Sequence, residues 1–289
     1  MDQAGILRKI KNGHVFPETM PQKSNGNTRV IAVTSGKGGV GKTNITANFA
    51  YLLSKMGKKI LLLDADTGLA NIDVILGITP KYNLSHVLSG KKTLAEAVVQ
   101  GPGGIKILPA PSGMRGMAEL SKGQKFTLLE EMDGLDEDFD YILIDTATGI
   151  TENVLYFNMV AGEIIVVVTP EPTSLTDAYA LIKILYRDYG VKRFMLVVNM
   201  VRDSDEAIGV FRQLSNATNH FLDLLISYTG YILQDQNISK AVCRQRLLTE
   251  TQSGSKASRC MSKIVADLCR CPPQNYDDGT IKFFNRFRH

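Results

Sequence analysis

The segment SGKGGVGKT, from Ser35 to Thr43, has residue types and spacing that predict a specific chemistry. It contains the pattern G-x-x-x-x-G-K-[ST] between an apolar run, RVIAVT, and a segment with helical periodicity. In this arrangement glycines let backbone N–H groups converge on phosphate oxygens, the lysine reaches the β- and γ-phosphates, and the threonine hydroxyl can ligate Mg²⁺. The pattern therefore predicts a Mg²⁺-dependent nucleoside triphosphate site formed by Gly36, Lys37, Gly38, Gly39, Val40, Gly41, Lys42, Thr43 and Asn44.

Carboxylates follow two other apolar runs, KKILLLDADTGLAN and YILIDTATGI, and would supply the acidic side of such a site. Asp64 and Asp66 end the first run, and Asp145 ends the second. In an open parallel sheet, ligands bind beyond the carboxyl ends of the strands, where these side chains would meet the phosphate loop. Asp145 resembles a Walker B aspartate, which would hold the Mg²⁺ shell through water. The alternative is that these aspartates only cap the segments that follow them.

The hydrophobic pattern predicts the elements that must position these residues. Short β-branched runs alternate with helix-length spacers, which predicts βαβ units and an α/β fold with a mainly parallel twisted sheet and helices on both faces. The expected strands are the runs RVIAVT, KKILLLD, IKILPA, YILID, EIIVVVT and FMLVVN. Helices are expected over Thr43–Met56, Gln124–Asp133, Ser174–Tyr189, Asp205–Asn219, Ile238–Leu248 and Ser255–Leu268.

Size, composition and cysteine content narrow the class of protein. With 289 residues, of which 44% are hydrophobic, the chain can bury the core of one large α/β domain. No run approaches the roughly 18 to 20 apolar residues of a membrane-spanning helix, and the N-terminus lacks a signal-peptide pattern, so we expect a cytoplasmic protein. The four cysteines lie in the last fifth of the chain without paired Cys-x₂₋₄-Cys spacing, which favours reduced thiols over a structural zinc site.

Composition and charge divide the chain into four segments. Residues 1–11 form a short amphipathic piece, residues 12–28 a flexible polar linker, residues 29–271 the α/β domain, and residues 272–289 a linker with a basic, aromatic end. Lys282, Arg286 and Arg288 supply three of the four net positive charges. The body is therefore close to neutral, which disfavours direct nucleic-acid binding, whereas the tail suits an anionic surface.

The two lysines of the phosphate loop carry a family resemblance. The form K-G-G-x-G-K-[ST] resembles the deviant Walker A loop of the MinD-like ATPases, a group of P-loop NTPases. In that family the first lysine, here Lys37, crosses a dimer interface to the other subunit's nucleotide. The resemblance also implies that Asp66 orients or activates the attacking water, that Asp64 supports the metal site from behind, and that Asn199 contacts adenine. It thus implies an ATPase, with Lys37, Lys42 and Asp66 as catalytic residues.

Longer stretches resemble one branch of these ATPases, the FlhG family, also called FleN or YlxH, which controls flagellar number and placement. They are DADTGLANIDVILG, TPEPTSLTDAYALIKIL and GYILQDQNISKAVCRQR. The opening MDQAGILR fits the D-Q-A-x-x-L-R pattern at the N-terminus of that family, a segment that stimulates the GTPase FlhF. The resemblance implies the same partner here, contacted through Asp2, Gln3, Leu7 and Arg8, with Gln3 at the GTPase site.

The last segment, IKFFNRFRH, predicts a contact with a membrane. As a helix it would place Ile281, Phe283, Phe284 and Phe287 on one face and basic residues on the other, which suits an interfacial helix on anionic lipid. One such helix binds weakly and two bind with avidity. ATP-dependent homodimerisation would therefore switch residence on the inner face of the cytoplasmic membrane, with the cell pole as one location. The alternative is that the phenylalanines dock on the protein's own surface.

Two departures from the family pattern bear on the rate of hydrolysis. Asn44 stands where threonine is common, and the segment after Asp145 reads TATG instead of T-G-A-G or S-P-A-G. Alanine lacks glycine's access to positive φ, and Thr148 adds a β-branched side chain near the expected position of the γ-phosphate. We therefore expect nucleotide binding to be kept and the hydrolysis rate and mobility of this switch segment to differ.

Other functions on the same fold stay open from the sequence. A nucleotide-dependent binding module would antagonise a flagellar transcription activator or load flagellar switch-complex (C-ring) proteins, with turnover incidental. A MinD-type division-site regulator would share the tail without needing DQAGILR, and a ParA-type DNA partitioner would be more basic over its body. An iron–sulfur carrier would need Cys-x-x-Cys, which Cys269-x-Cys271 does not supply.

Overall fold

The computed structural model describes residues 28–66, 71–111, 120–135 and 138–270. Eight strands alternate with helices along these residues, as the hydrophobic pattern predicts. The strands are β1 (Arg29–Ser35), β2 (Ile60–Ala65), β3 (Val99–Gln100), β4 (Lys106–Leu108), β5 (Tyr141–Thr148), β6 (Glu163–Val168), β7 (Met195–Val201) and β8 (Ser227–Leu233).

The strands form one sheet with the order β3-β4-β2-β5-β1-β6-β7-β8. All neighbouring pairs are parallel except β3 and β4, which are antiparallel. The sheet places β5 between β1 and β2, so the carboxyl ends of these three strands lie side by side. The phosphate loop and the predicted acidic residues therefore meet at one edge, and the predicted mainly parallel fold is confirmed.

Helices cover both faces of the sheet. The helices are α1 (Lys42–Lys55), α2 (Ile72–Leu76), α3 (Leu84–Leu88), α4 (Leu94–Ala97), α5 (Lys122–Asp133), α6 (Glu152–Val160), α7 (Pro172–Tyr189), α8 (Ser204–Leu222), α9 (Gln236–Cys243), α10 (Leu248–Thr251) and α11 (Lys256–Arg270). One apolar core cluster joins the sheet to α1, α2 and α9 to α11, and two others join it to α3 to α8.

The helix predicted over Ile238–Leu248 is wrong in its second half. α9 ends at Cys243, Gln245 adopts a left-handed conformation with φ of 53°, and α10 begins at Leu248. Leu247 and Leu248 are both about 1% exposed in the core beneath α1. The left-handed residue ends the helical path, and the chain then continues so that both leucines enter the core.

Arg29 connects the beginning of the domain to its end. Its Nε and Nη2 donate to the two carboxylate oxygens of Glu163 at 2.7 Å each, and Nη1 donates to the carbonyl of Leu268 at 2.5 Å. The guanidinium also lies 5.4 Å from the centre of the Tyr141 ring. Arg29 therefore satisfies a carbonyl in the last turn of α11 and fixes that end beside the start of β1.

Several predictions concern parts of the chain outside the described residues. These are the N-terminal activator segment 1–11, nearly all of the linker 12–28 and the tail 272–289, with Asp2, Gln3, Leu7, Arg8, Ile281, Phe283, Phe284 and Phe287. Within the described ranges, no helix has the length and apolar character needed to cross a membrane.

Candidate nucleotide site

The phosphate loop joins β1 to α1, and three of its four glycines are required by close packing or by backbone conformation. A Cβ on Gly36 would lie 2.2 Å from the carbonyl carbon of Asp177, in the backbone of α7. Gly39 and Gly41 have φ values of 79° and 87°, in the left-handed region that favours glycine. A Cβ on Gly41 would lie 2.5 Å from Asn199 Nδ2. Neighbouring elements thus leave no room for side chains at two of these positions.

Lys42 is the first residue of α1, and its ammonium group is bound inside the protein. Nζ lies 3.1 Å from Asp145 Oδ1 and donates to the backbone carbonyl of Thr146. Thr46, one turn further along α1, places Oγ1 3.3 Å from the same Asp145 oxygen and 2.9 Å from the Lys42 carbonyl. Thr46 was not predicted from the sequence, although its spacing of four residues from Lys42 places both residues on one helix face.

Asp64 and Asp145 face each other across β2 and β5 and are each 1% exposed. The backbone N–H groups of Asp66 and Ile72 donate to the two Asp64 oxygens at 3.0 and 3.4 Å. Burial, together with the nearby charge of Asp145, raises the pKa of Asp64 to about 8. At neutral pH this carboxyl group is therefore mostly protonated in the metal-free protein.

Asp145 has a carboxylate oxygen that is suited to bind a cation. Its Oδ2 is buried and has no hydrogen-bond partner among the described residues. A buried carboxylate oxygen without a donor is costly, and a hard cation or a water bound to one would satisfy it. Together with Lys42 and the glycine loop, this donor set fits Mg²⁺ and a phosphate chain.

Lys37, the first lysine of the loop, makes its contacts within the same chain. Nζ donates to the carboxylate of Glu171 and, at 2.9 Å, to Thr173 Oγ1, both at the beginning of α7. The Lys37 side chain is 35% exposed and that of Glu171 is 64% exposed, so solvent screens this pair. Neither partner was expected from the sequence, and the contact of Lys37 across a dimer stays a prediction.

Asn199 lies against the outer side of the phosphate loop. Its Nδ2 donates to the Val40 carbonyl at 2.8 Å, whereas its Oδ1 is buried without a partner among the described residues. The next residue, Met200, has a positive φ of 60° and a side chain that is 43% exposed. The residue predicted to contact adenine is thus fixed beside the loop, with one amide acceptor unused.

Comparisons with known proteins agree with this geometry. A family model described as an AAA domain matches residues 28–196. Among solved structures, the MinC:MinD cell division protein complex of Aquifex aeolicus aligns with a TM-score of 0.67 and 30% identity. The alignment covers 83% of this chain and 96% of the matched chain.

Two curated relatives carry the comparison over most of the length. Antiactivator FleN of Pseudomonas aeruginosa is 43% identical over 256 residues, which cover 89% of this chain and 91% of FleN. Flagellum site-determining protein YlxH of Helicobacter pylori is 34% identical over 263 residues, which cover 91% of this chain and 87% of YlxH. The chain belongs to the FleN/FlhG family of MinD-like ATPases. The resemblance inferred from the motifs is therefore confirmed.

The first departure from the FleN/FlhG pattern follows Asp145. β5 continues through Ala147 to Thr148, with a bulge in its pairing with β1 after Asp145, and the left-handed turn comes at Gly149, with φ of 87°. Ala147 therefore does not need the positive φ that glycine would allow, and the sequence-based concern about its backbone does not apply to this structure. Thr148 is exposed at the end of the strand, with its Oγ1 4.0 Å from the position of a Cβ on Gly38.

The second departure, Asn44, is the start of a polar chain of contacts across the domain. Asn48 Nδ2 donates to the carbonyl and the Oδ1 of Asn44 at 2.7 and 2.9 Å. Asn48 Oδ1 in turn accepts from the backbone N–H and the hydroxyl of Thr249 at 3.0 and 2.8 Å. Asn44 therefore connects α1 to α10 here, while Thr43, the predicted Mg²⁺ ligand, is half-buried at the second position of α1.

Proposed function

We propose that this protein is an ATP-driven switch that regulates flagellar number or placement, dimerises with ATP and associates with the inner face of the cytoplasmic membrane. The observation that supports this most is the buried Lys42–Asp145 pair under a glycine loop, with one Asp145 oxygen free to meet a cation. The identity of 43% to a protein named antiactivator FleN and of 34% to a flagellum site-determining protein supports the flagellar role.

Residues at the ends of neighbouring strands would have separate roles in ATP hydrolysis. Lys42 would exchange its bonds to Asp145 and Thr146 for phosphate oxygens, which frees Asp145 to hold the metal shell. Mg²⁺ bound there would neutralise negative charge on the phosphates, with Thr43 as a further ligand. Asp66, half-buried directly after β2, would orient or deprotonate the attacking water, and Asp64 would support Asp66 through its backbone N–H.

Adenine is the base that the position of Asn199 favours. The unused Oδ1 of Asn199 is an acceptor, which suits the 6-amino group of adenine, at the position where guanine has a carbonyl. A guanine-binding site of the Ras type also carries N-K-x-D, whereas this chain reads NMVRD after β7. We therefore assign ATP as the substrate.

Lys37 would change partners when two ATP-bound copies meet. In the single chain it is held by Glu171 and Thr173 on α7. An exposed ion pair of this kind contributes roughly 0 to 1 kcal/mol, so a phosphate on a second subunit can displace it readily. The contact with Glu171 and Thr173 would then keep Lys37 in place in the single chain, and in the dimer Lys37 would bind the phosphate of the second subunit.

Lys37→Ala is the experiment that tests the switch. Because its contacts are separate from the Lys42–Asp145 pair, we expect ATP affinity to stay within about three-fold, while ATP-dependent dimers are lost and turnover falls about 100-fold or more. Calorimetry measures the ATP affinity, light scattering the dimers and phosphate release the turnover. Cells that carry the variant should show an altered number or placement of flagella by electron microscopy.

The matched control for this variant is Lys91→Ala, which removes an exposed lysine that has no ion pair among the described residues. It should leave dimerisation, turnover and flagellation unchanged. If Lys37→Ala dimerises and hydrolyses ATP like the wild type, the proposed dimer is wrong. If it loses both and flagellation stays normal, the flagellar role is wrong while the ATPase stands.

The N-terminal segment would activate the GTPase FlhF. A synthetic peptide of residues 1–20 should raise GTP turnover by FlhF from the same organism, and the same peptide with Gln3→Ala should not, because the polar side chain of Gln3 would act at the GTPase site. Phosphate release from GTP measures both. Stimulation that survives the substitution would remove Gln3 from this role, and absence of stimulation by the peptide and by the ATP-bound full-length protein would remove FlhF as the partner.

A second candidate is favoured by the name of the relative with 43% identity, antiactivator FleN. In this alternative the ATP-bound form binds and inhibits a flagellar transcription activator, and turnover only resets it. Flagellar switch-complex proteins are further candidate partners of the same surface. The alternative predicts that a variant that dimerises without hydrolysing ATP still represses flagellar transcripts, whereas the placement role requires turnover.

A further inference from the structure

The last helix of the domain, α11, has two faces of opposite character. Its inward face is apolar and buried against β8 and α1, and consists of Ala257, Met261, Ile264, Val265 and Leu268. The opposite face carries the exposed residues Lys256, Arg259 and Lys263, which we call the α11 basic stripe. At 100° per residue these three side chains fall within about 60° of one another, along about 10 Å of the helix axis.

The positive charge of the stripe is only partly offset by acids: Asp267 follows Lys263 by about one turn on the same side of the helix, and its carboxylate pairs with Arg270. Among the described residues, none of the three side chains of the stripe forms an ion pair, whereas Arg246 and Arg270 are paired with Glu250 and Asp267. Residues 236–270 hold seven basic and only two acidic residues, although the whole chain has a net charge of +4. The part of the chain that composition predicts to be nearly neutral therefore includes a strongly basic region, residues 236–270.

The arrangement of these charges suits an extended anionic surface better than a single anion. Side chains in a line along one helix do not converge on one point, and they project from the side of the helix that is away from the core. Cations in such a line each interact with a different headgroup when a charged surface lies within a Debye length, about 8 to 10 Å at physiological salt. The stripe is therefore matched to a plane of negative charge.

The position of α11 in the chain indicates that this plane of negative charge is a membrane surface. The C-terminal end of α11 is fixed to β1 by Arg29, which donates to the Leu268 carbonyl. The segment that follows Arg270 ends in the amphipathic sequence IKFFNRFRH, for which the sequence predicts a membrane contact. A short apolar anchor gives stable membrane residence only with a second signal, such as a basic patch on the same molecule.

We propose that the α11 basic stripe is a second, electrostatic contact of the domain with anionic phospholipid. This inference rests on the proposed membrane association and adds to it a site on the folded domain. The tail would insert its apolar face, and the stripe would hold the domain with α11 towards the headgroups. A duplex nucleic acid fits less well because the three cations of the stripe would neutralise few phosphates, and the chain outside residues 236–270 is net negative.

The test compares full-length, ATP-bound variants in sedimentation with vesicles of equal parts phosphatidylglycerol and phosphatidylcholine. The stripe variant carries Lys256→Gln, Arg259→Gln and Lys263→Gln. Its matched control carries Lys91→Gln, Lys122→Gln and Lys183→Gln, which remove the same charge from exposed positions elsewhere. A tail variant carries Phe283→Ala and Phe284→Ala.

We expect the stripe variant to lose affinity for these vesicles on the order of 100-fold, since each cation near such a surface contributes about 1 kcal/mol. The control should stay within about three-fold of the wild type. The dependence of wild-type binding on salt should be steeper than that of the stripe variant, and melting temperature and ATP turnover without vesicles should match in both.

Each contrary outcome has its own meaning. Wild-type protein that does not bind the vesicles would overturn both the membrane association and this inference. Vesicle binding that is lost in the tail variant and kept in the stripe variant would overturn the inference alone. Binding to duplex DNA that the stripe variant loses, without any effect on vesicles, would also overturn it and make the stripe a nucleic-acid contact.

Discussion

Gly36→Ala is expected to lower the free energy of unfolding by about 3 kcal/mol and to abolish measurable ATP binding. A Cβ at this position would lie 2.2 Å from the carbonyl carbon and 2.3 Å from the carbonyl oxygen of Asp177. Both are backbone atoms in α7, so no side-chain rotation relieves the contact. The phosphate loop or α7 must move, and both border the nucleotide site. Urea unfolding and calorimetric titration with ATP measure the two effects.

Gly38→Ala is the matched control two residues away in the same loop. A Cβ there would meet nothing nearer than Thr148 Oγ1 at 4.0 Å, and Gly38 does not have a positive φ. Its free energy of unfolding should therefore stay within about 0.5 kcal/mol of the wild type. Equal destabilisation by both substitutions would show that the loop tolerates no side chain anywhere, and that contact with α7 is not the reason.

The difference between these two glycines shows what the sequence was able to predict about the site. The motif identified the loop, its lysines and the carboxylates at the neighbouring strand ends, because local spacing determines them. It could not show that Gly36 packs on Asp177, or that Lys37 bonds to Glu171, because these contacts depend on how α7 crosses the sheet. Contacts across 134 or more residues of chain are set by the tertiary fold.

The sequence likewise predicted most of the strands and longer helices of the fold and missed the elements whose local pattern is weak. Apolar β-branched runs revealed six of the eight strands, since a parallel strand buried on both faces is nearly continuous in hydrophobic residues. β8, with the sequence SYTGYIL, was missed because it forms an edge of the sheet and is partly exposed. The short helices α2, α3 and α4 were missed as well, because helices of four or five residues leave too little periodicity to detect.

The buried bond between Lys42 and Asp145 gives the site two alternative states. While the bond exists, the positive charge of Lys42 compensates the negative charge of Asp145, although Asp145 Oδ2 has no partner among the described residues. A phosphate chain that takes Lys42 away leaves Asp145 buried and uncompensated, which makes metal binding at that carboxylate more favourable. Nucleotide and Mg²⁺ should therefore bind cooperatively, and Asp66, the remaining carboxylate near the strand end, is the residue that we propose for hydrolysis.

Asp66→Asn should reduce ATP turnover by about 10²- to 10⁴-fold, the range expected for loss of a general base, with ATP affinity changed less than about three-fold. The amide cannot accept a proton from water, whereas the Lys42–Asp145 pair that prepares phosphate and metal binding stays in place. Phosphate release and calorimetric titration separate the two effects. The variant should also accumulate as an ATP-bound dimer, because hydrolysis is the step that would return it to monomers.

Asp64→Asn is the control that distinguishes the two neighbouring carboxyl groups. With its pKa raised to about 8, Asp64 is mostly neutral at pH 7, and an amide has nearly the same shape. The amide nitrogen cannot accept one of the two backbone N–H bonds that Asp64 receives, so the free energy of unfolding should fall by about 1 to 3 kcal/mol. Its turnover should fall far less than that of Asp66→Asn, because Asp64 acts only through the backbone N–H of Asp66. The reverse result, with turnover lost in Asp64→Asn and kept in Asp66→Asn, would place the base on β2 itself.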